Sequence, residues 1–169
     1  FPSAISAEIS RPYLSKIMDD KYKLHALLSV LSLINISILE GQIIKGFYNS
    51  VHKLIVIIIN ENHWITYYCE WLFSLLQLIG YQLDYKNQTE NNYYDIVNQN
   101  FLYEPSTNTL EFPHNLFNNS KKLSYKNLSN VFTIFESIFT KNHLDNMNYR
   151  MPSSFINFKK IILNRLQNL

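Results

Sequence analysis

With 169 residues the chain is long enough for one substantial hydrophobic core, and its 47% apolar and 15% aromatic content excludes an intrinsically disordered protein. Its single cysteine, Cys69, excludes an intramolecular disulfide and a multi-cysteine zinc site. The formal net charge of +2 is small, so a basic surface can arise only if charge is distributed unevenly along the chain.

Residues 1–13 alternate apolar and polar side chains with the period of a β-strand. Ile5, Ala7 and Ile9 fall on one face of this strand, and Pro12 is expected to end it. A lone strand is not stable by itself, so it requires partners that the rest of the chain hardly supplies.

The next two segments carry helix signals. Asp19 or Asp20 is the predicted N-cap of a helix that runs to about Leu39, and Gly41 is expected to break it before a second helix over 42–59. The residues expected on the buried sides are Leu24, Leu27, Leu28, Leu31, Ile34 and Ile38 in the first helix, and Ile43, Ile44, Phe47, Val51, Leu54, Ile55 and Ile58 in the second.

A third, central helix is predicted from Trp64 to Ile79, with Gly80 as its end. Apolar and aromatic residues recur there at steps of three and four, which is typical of a helix buried along a wide stripe. The stripe consists of Trp64, Tyr67, Tyr68, Trp71, Leu72, Leu75, Leu76 and Ile79. Three helices joined by short connections favour antiparallel packing of neighbours.

Residues 84–111 are polar and acidic, and we interpret them as a loop insertion with a short hairpin that pairs Leu102-Tyr103 with Thr109-Leu110. The last third is helical again. One helix is predicted after Ser124, and a final helix begins with Ser153 as its N-cap. Their expected buried residues are Leu128, Val131, Phe132, Phe135, Ile138 and Phe139, and then Phe155, Phe158, Ile161, Ile162 and Leu166.

The central helix also resembles a segment of a known family. Its pattern of an aromatic residue, two leucines and then Gly-Tyr-x-Leu-Asp is similar to the central helix of RecO, a bacterial mediator of DNA recombination and repair. Leu72 stands where that family usually has glutamate. The matching residues are Trp71, Leu75, Leu76, Gly80, Tyr81, Leu83 and Asp84.

The resemblance extends at low identity from about Ser10 to Leu169. It implies that residues 1–13 are the last strand and junction of an N-terminal OB fold that is mostly missing, and that residues 14–169 are the helical C-terminal domain. Residues 84–111 correspond to a loop that holds a four-cysteine zinc site in many RecO proteins. Because no cysteine lies there, the resemblance implies a zinc-less insertion in this chain.

Charge is divided sharply between two parts of the chain. Residues 61–111 hold seven acidic residues and one basic residue, whereas residues 112–169 hold eight basic residues and two acidic ones. Basic residues interleaved with Tyr125 and Tyr149 suit contacts with nucleic-acid phosphates, and a solvated lysine surface without a partner is the alternative. The residues that we expect to bind DNA are Arg11, Lys16, Lys21, Lys23, Lys121, Lys122, Lys126, Lys141, Arg150, Lys159, Lys160 and Arg165.

No arrangement of side chains in the sequence indicates catalysis. The five histidines are scattered, and the nearest two, His52 and His63, are too far apart to be ligands on one turn of a helix. Cys69 lies within the central helix, where a lone cysteine is typically a packing residue. We therefore predict a non-catalytic protein without a cofactor or a metal.

The most apolar run, residues 54–59, is far shorter than the roughly 20 residues that cross a bilayer. The first residues also lack the basic and then apolar pattern of a signal peptide. Together with the single cysteine, these features predict a cytoplasmic protein without a membrane partner.

From the resemblance we expect a mainly α-helical, compact bundle that binds and anneals single- and double-stranded DNA. Its partners would be RecR and single-strand-binding protein, with RecA loaded indirectly, and it would be associated with the bacterial nucleoid. The alternative is a helical protein-interaction scaffold, a degenerate or truncated copy that has lost DNA binding.

Overall fold

The structure, a computed structural model, describes residues 14–38 and 46–169. The strand predicted over residues 1–13 and the helix break predicted at Gly41 lie outside these residues, as do Leu39, Ile43 and Ile44. The described part is mainly helical with one small antiparallel sheet, which confirms the predicted fold class.

The helices are α1 (Leu14–Ile17), α2 (Lys21–Ser37), α3 (Phe47–Asn60), α4 (Trp64–Leu78), α5 (His114–Phe117), α6 (Tyr125–Phe139), α7 (Asp145–Met147) and α8 (Ser153–Gln167). The strands are β1 (Tyr93–Asp95), β2 (Asn100–Leu102) and β3 (Thr109–Glu111). A 3-10 turn covers Tyr85–Asn87, and a π-helical turn covers Thr140–Leu144.

The described residues divide into two units. The first unit contains the residues up to Trp71 together with Met151–Ile162, and the second contains Leu72–Arg150 together with Leu163–Leu169. Both α4 and α8 therefore contribute residues to each unit.

Helix α2 of the first unit begins where the sequence predicts. The Asp20 carboxylate accepts hydrogen bonds from the backbone N–H groups of Tyr22 at 3.0 Å and Lys23 at 3.2 Å, which satisfies two amides that have no partner inside the helix. Helix α3 packs against α2 and buries every described residue that the sequence assigns to its core.

The buried face predicted for α2 is partly wrong. Leu28 is 43% exposed, whereas Ser29 is completely buried. The Ser29 hydroxyl donates to the carbonyl of Ala26 at 2.6 Å and lies 2.9 Å from the hydroxyl of Tyr68 on α4. Because both of these polar groups are paired, a serine can occupy the core and a leucine beside it can face solvent.

Helix α4 ends as the glycine predicts. Gly80 has a φ of +97°, its N–H bonds to the carbonyl of Gln77, and the N–H of Tyr81 bonds to the carbonyl of Leu76 at 2.7 Å. This pair of hydrogen bonds is a Schellman motif, in which a left-handed residue closes the last turn of a helix. The helix is buried along most of its predicted stripe, and only Tyr67 and Ile79 of that stripe are half-buried.

The insertion in the second unit is a three-stranded sheet with the order β2-β1-β3. The predicted hairpin between the segments of β2 and β3 is wrong, because both of these strands pair with β1, in antiparallel fashion. β1 is the central strand, and its Tyr94 and Asp95 are both buried.

Five aromatic residues, here called the aromatic cluster, hold this sheet in the second unit. Phe101 of β2 lies 5.1 Å, between ring centroids, from Phe112, which follows β3. Phe112 in turn lies 5.9 Å from Phe73 of α4, and Tyr85 lies 4.9 Å from Phe117. Aromatic pairs favour offset-stacked, tilted or edge-on rings over a face-to-face sandwich.

The two long helices of the last third match their predicted cores. In α6 all six predicted residues are buried, and the Ser124 hydroxyl accepts from the N–H of Asn127 at 3.1 Å as its N-cap. In α8 Phe155, Phe158 and Ile162 are buried, while Ile161 and Leu166 are half-buried. Ser153 is the first residue of α8 and not its N-cap, a shift of one position.

Candidate nucleic-acid interface

The basic residues expected to bind DNA are shared between the two units. Arg11 lies outside the described residues. In the first unit the structure places Lys16, Lys21, Lys23, Lys159 and Lys160, and in the second unit it places Lys121, Lys122, Lys126, Lys141, Arg150 and Arg165. Among these residues, Lys23 and Lys159 are half-buried and the others are exposed.

Three of these lysines are engaged by the protein itself. The Lys23 ammonium donates to the carbonyl of Ile59 at 3.1 Å, at the end of α3. The Lys141 ammonium donates to the carbonyl of Val97 at 2.8 Å, and the Lys126 ammonium forms an ion pair with Glu111. These bonds give the three cations a structural role, because contact with a phosphate would have to replace them.

The pKa of Lys126 reflects this engagement. The hydrogen bond that the Lys126 ammonium donates to Glu111, and then the charge of the same carboxylate, raise the pKa of Lys126 above its ordinary value. Both side chains are exposed, however, so water and salt screen the pair and its contribution to stability is small.

Four other cations extend from the surface without a bond to any described residue. These are the side chains of Lys16 and Lys160 in the first unit and of Lys122 and Arg150 in the second. Lys21 differs from them because its ammonium lies over the ring of Tyr22, 5.1 Å from the centroid. The four cations therefore have unused donors for an anionic partner.

Residues 118–126, here called the lysine loop, precede and begin α6. The Ser120 hydroxyl donates to the carbonyl of Asn115 at 2.8 Å, and the N–H of Lys122 donates to the same carbonyl at 3.0 Å. The amide of Asn127 donates to the carbonyl of Lys122 at 2.9 Å. These bonds fix the backbone of the lysine loop although its side chains are exposed.

A polar turn that the sequence patterns did not predict follows β1. Asp95 is buried, and one of its carboxylate oxygens accepts from the backbone N–H groups of Val97 and Asn98, each at 2.9 Å. The other oxygen accepts from the side-chain amide of Asn98 at 2.9 Å. The bond from the backbone of Asn98 is the main cause that lowers the pKa of Asp95, with smaller contributions from the other two bonds and from Lys141.

This turn is tied to the π-helical turn of the same unit. Lys141 reaches the carbonyl of Val97, and the amide of Asn142 donates to the side-chain oxygen of Gln99 at 3.0 Å. Gln99 itself has a φ of +55°, which few residues with a side chain adopt. An aspartate followed three positions later by an asparagine is the local signal that could have predicted the turn.

Cys69 and His143 both lie in the core. Cys69 is completely buried, and burial raises the pKa of its thiol far above the ordinary value, so the reactive thiolate is disfavoured. His143 is buried, and its ring lies near those of Tyr81 and Phe139. Within residues 14–38 and 46–169, no three histidine, cysteine, aspartate or glutamate side chains lie together in a way that could hold a metal ion.

None of the helices within the described ranges is both long enough and apolar enough to cross a membrane. No protein-family model, curated protein or solved structure matches the chain.

Proposed function

We propose that this protein is the helical part of a RecO-like, non-catalytic mediator of DNA recombination and repair. In this role it binds DNA through contacts with the phosphate backbone and acts with RecR, single-strand-binding protein and RecA. It is a cytoplasmic protein of the bacterial nucleoid and uses no cofactor.

The positions of the motif residues support the proposal. Trp71, Leu75 and Leu76 are buried on one helix, Gly80 adopts the left-handed conformation that the motif requires of its glycine, and Leu83 returns to the core. These are the roles that the motif predicts for an apolar helix face that is closed by a glycine.

The observation that carries the proposal is the set of four exposed cations that have no described partner. A lysine that donates to a backbone carbonyl, as Lys23 and Lys141 do, contributes to the fold. The side chains of Lys122, Arg150 and Lys160 make no bond to a described residue, and all three follow the acidic insertion in a strongly basic part of the chain. Each phosphate that such a cation neutralises releases a condensed counterion and adds salt-dependent affinity.

The proposal is tested by neutralising Lys122 and Lys160 together. We expect Lys122→Gln with Lys160→Gln to weaken binding to every duplex sequence alike, because phosphate contacts carry no base information. The slope of log affinity against log salt should fall in magnitude by up to about 1.8, which corresponds to two lost phosphate contacts. Fluorescence anisotropy with labelled duplexes over a salt series measures both quantities.

The matched control replaces Lys53 and Lys86 with glutamine. Both lysines are exposed and neither belongs to the expected DNA-binding set, so this variant loses the same charge at other places. If the two variants lose DNA affinity equally, only the net charge of the protein determines binding, and the positions of Lys122 and Lys160 do not. A parent chain that does not bind DNA even at low salt would refute the proposal and would favour the interaction scaffold.

A further inference from the structure

Tyr125 is an exposed aromatic residue within a group of cations. It is the first residue of α6, and 43% of its surface is exposed. Lys121 and Lys122 precede it in the lysine loop, and Lys126 follows it. Of the fourteen Phe and Tyr side chains of the second unit, seven are buried and three, those of Tyr103, Tyr125 and Tyr149, are exposed. The ring of Tyr125 is therefore available to a partner.

The backbone around Tyr125 is held in place on both sides. Before it, the N–H and carbonyl groups of Lys122 are both hydrogen-bonded, to Asn115 and Asn127. After it, the backbone is helical. The Cα atoms of Lys122 and Tyr125 are separated by at most about 11 Å of extended chain, so a ring and an ammonium group can reach one nucleotide and its phosphate. A partner therefore meets a surface whose backbone is already ordered.

We propose that Tyr125 and the lysines before it form a stacking site for a base of single-stranded DNA, a statement that rests on the proposed DNA-binding function. The tyrosine ring stacks on one base, and Lys122 contacts a neighbouring phosphate. Every base has a π face, so such a site tolerates any sequence. In a duplex the bases are stacked on each other and do not offer a face without being unpaired, so the site distinguishes single strands from duplexes.

The charge around a second exposed tyrosine provides a contrast. Tyr103 is 71% exposed, more than Tyr125, but it is followed by Glu104 in the acidic part of the chain. A carboxylate beside the ring repels a phosphate, so Tyr103 is not expected to bind DNA. The stacking site is defined by the combination of ring and cations, not by exposure of a ring alone.

The experiment compares affinities of the full chain for a fluorescein-labelled oligothymidine and for a blunt duplex of the same length at one salt concentration. We expect Tyr125→Ala to weaken binding to the oligothymidine by about 5- to 150-fold, the range measured for loss of base stacking, and to leave duplex affinity unchanged. Tyr125→Phe keeps the ring and should retain parental affinity. Tyr103→Ala, the matched control, should bind both probes like the parent.

Tyr125→Leu keeps an apolar side chain but no π face, so it repeats the test if the alanine variant does not fold. An unchanged affinity of both variants for oligothymidine, in a parent that binds DNA, would overturn the stacking site alone. An equal loss on single strands and duplexes would overturn it as well, because stacking cannot act on a closed duplex. A parent that binds neither probe would refute the proposed function and the stacking site together.

Discussion

The helix pair α2–α3 and the sheet insertion bury their side chains in different ways. The helix pair buries a continuous stripe of aliphatic residues, in which Val30, Leu33 and Ile58 have no exposed surface. The insertion is polar in composition, and its buried surface comes mainly from a few rings such as Tyr85 and Tyr94. Since one aromatic side chain buries about 150 to 250 Å², a small number of rings at the right positions can order a segment that average composition describes as a loop.

The two regions also differ in their buried polar groups. The helix pair is linked to α4 by the hydrogen bond between Ser29 and Tyr68, which joins two side chains far apart in sequence. The insertion depends on Asp95, whose partners are within three residues of it. A neutral pair, Ser29 and Tyr68, thus anchors the helix pair, and a charged group, Asp95, anchors the insertion. The stabilities of the two regions should therefore respond differently to substitution and to pH.

The largest expected loss in the free energy of unfolding is that caused by Phe112→Ala in the aromatic cluster. Phe112 is buried and its ring lies within 6 Å of Phe73, Tyr85 and Phe101. Truncating a buried phenylalanine lowers the free energy of unfolding by about 3 to 5 kcal/mol, because transfer energy is lost and a cavity is left. Urea denaturation followed by circular dichroism measures the change. The exposed Tyr103, replaced by alanine, should change it by less than about 0.5 kcal/mol. Equal effects of the two variants would mean that the rings do not hold the insertion.

A smaller effect is expected for Tyr68→Phe in the first unit. The variant loses the hydroxyl that pairs with Ser29, but Ser29 keeps its bond to the carbonyl of Ala26 and so is not left without a partner. The free energy of unfolding should fall by about 0.5 to 1.5 kcal/mol, the usual net contribution of one hydrogen bond. In a Ser29→Ala background the same substitution should cost less. A loss as large as that of Phe112→Ala would show that the comparison between an aliphatic and an aromatic region is too simple.

The smallest change in the free energy of unfolding at neutral pH is expected for Asp95→Asn. Asparagine keeps an oxygen that can accept from the backbone N–H groups of Val97 and Asn98, so the turn should persist. In the parent, the folded pKa of Asp95 is below its unfolded value of about 3.9. The contribution of its charge to the free energy of unfolding is therefore fully present above the unfolded pKa. It is lost as the pH falls through the folded pKa.

Thermal melting at a series of pH values distinguishes the two proteins. The parent should lose stability more steeply than Asp95→Asn as the pH falls below about 5. Parallel curves would mean that the ionised form of Asp95 contributes nothing to the folded state.

Much of the helical framework could be predicted because its signals are local. The capping carboxylate of Asp20, the left-handed Gly80 and the N-cap Ser124 all act within one turn of a helix. The described core residues of α3 and the core of α6 were also predicted correctly, since apolar residues at three- and four-residue steps must share a face. The error at Leu28 arose because the sequence contains a leucine at a core spacing, while the partner that admits Ser29 to the core is on α4.

The pairing of the strands depended on the tertiary structure. Short strands of three residues carry little pattern of their own, and Tyr93-Tyr94 could have been a loop as easily as the centre of a sheet. β1 lies between β2 and β3, and its Tyr94 packs on Phe101 of β2, with 5.0 Å between their ring centroids. The choice among possible pairings is made by side chains that meet across the sheet, which no local period records.

The candidate interface also combines features that the local sequence determines with features that depend on the tertiary structure. The sequence by itself determined how many cations the last third carries and that they are separated from an acidic insertion. It also determined where the helices that display these cations begin. Charge and local period belong to the residues themselves, so no tertiary contact is needed to recognise them. Only the tertiary structure decided which lysines remain available to a partner. Lys23 bonds to a carbonyl 36 residues away and Lys141 to one 44 residues away. Folding brings these carbonyls to the ammonium groups, and nothing near either lysine in the sequence indicates that its charge is already engaged.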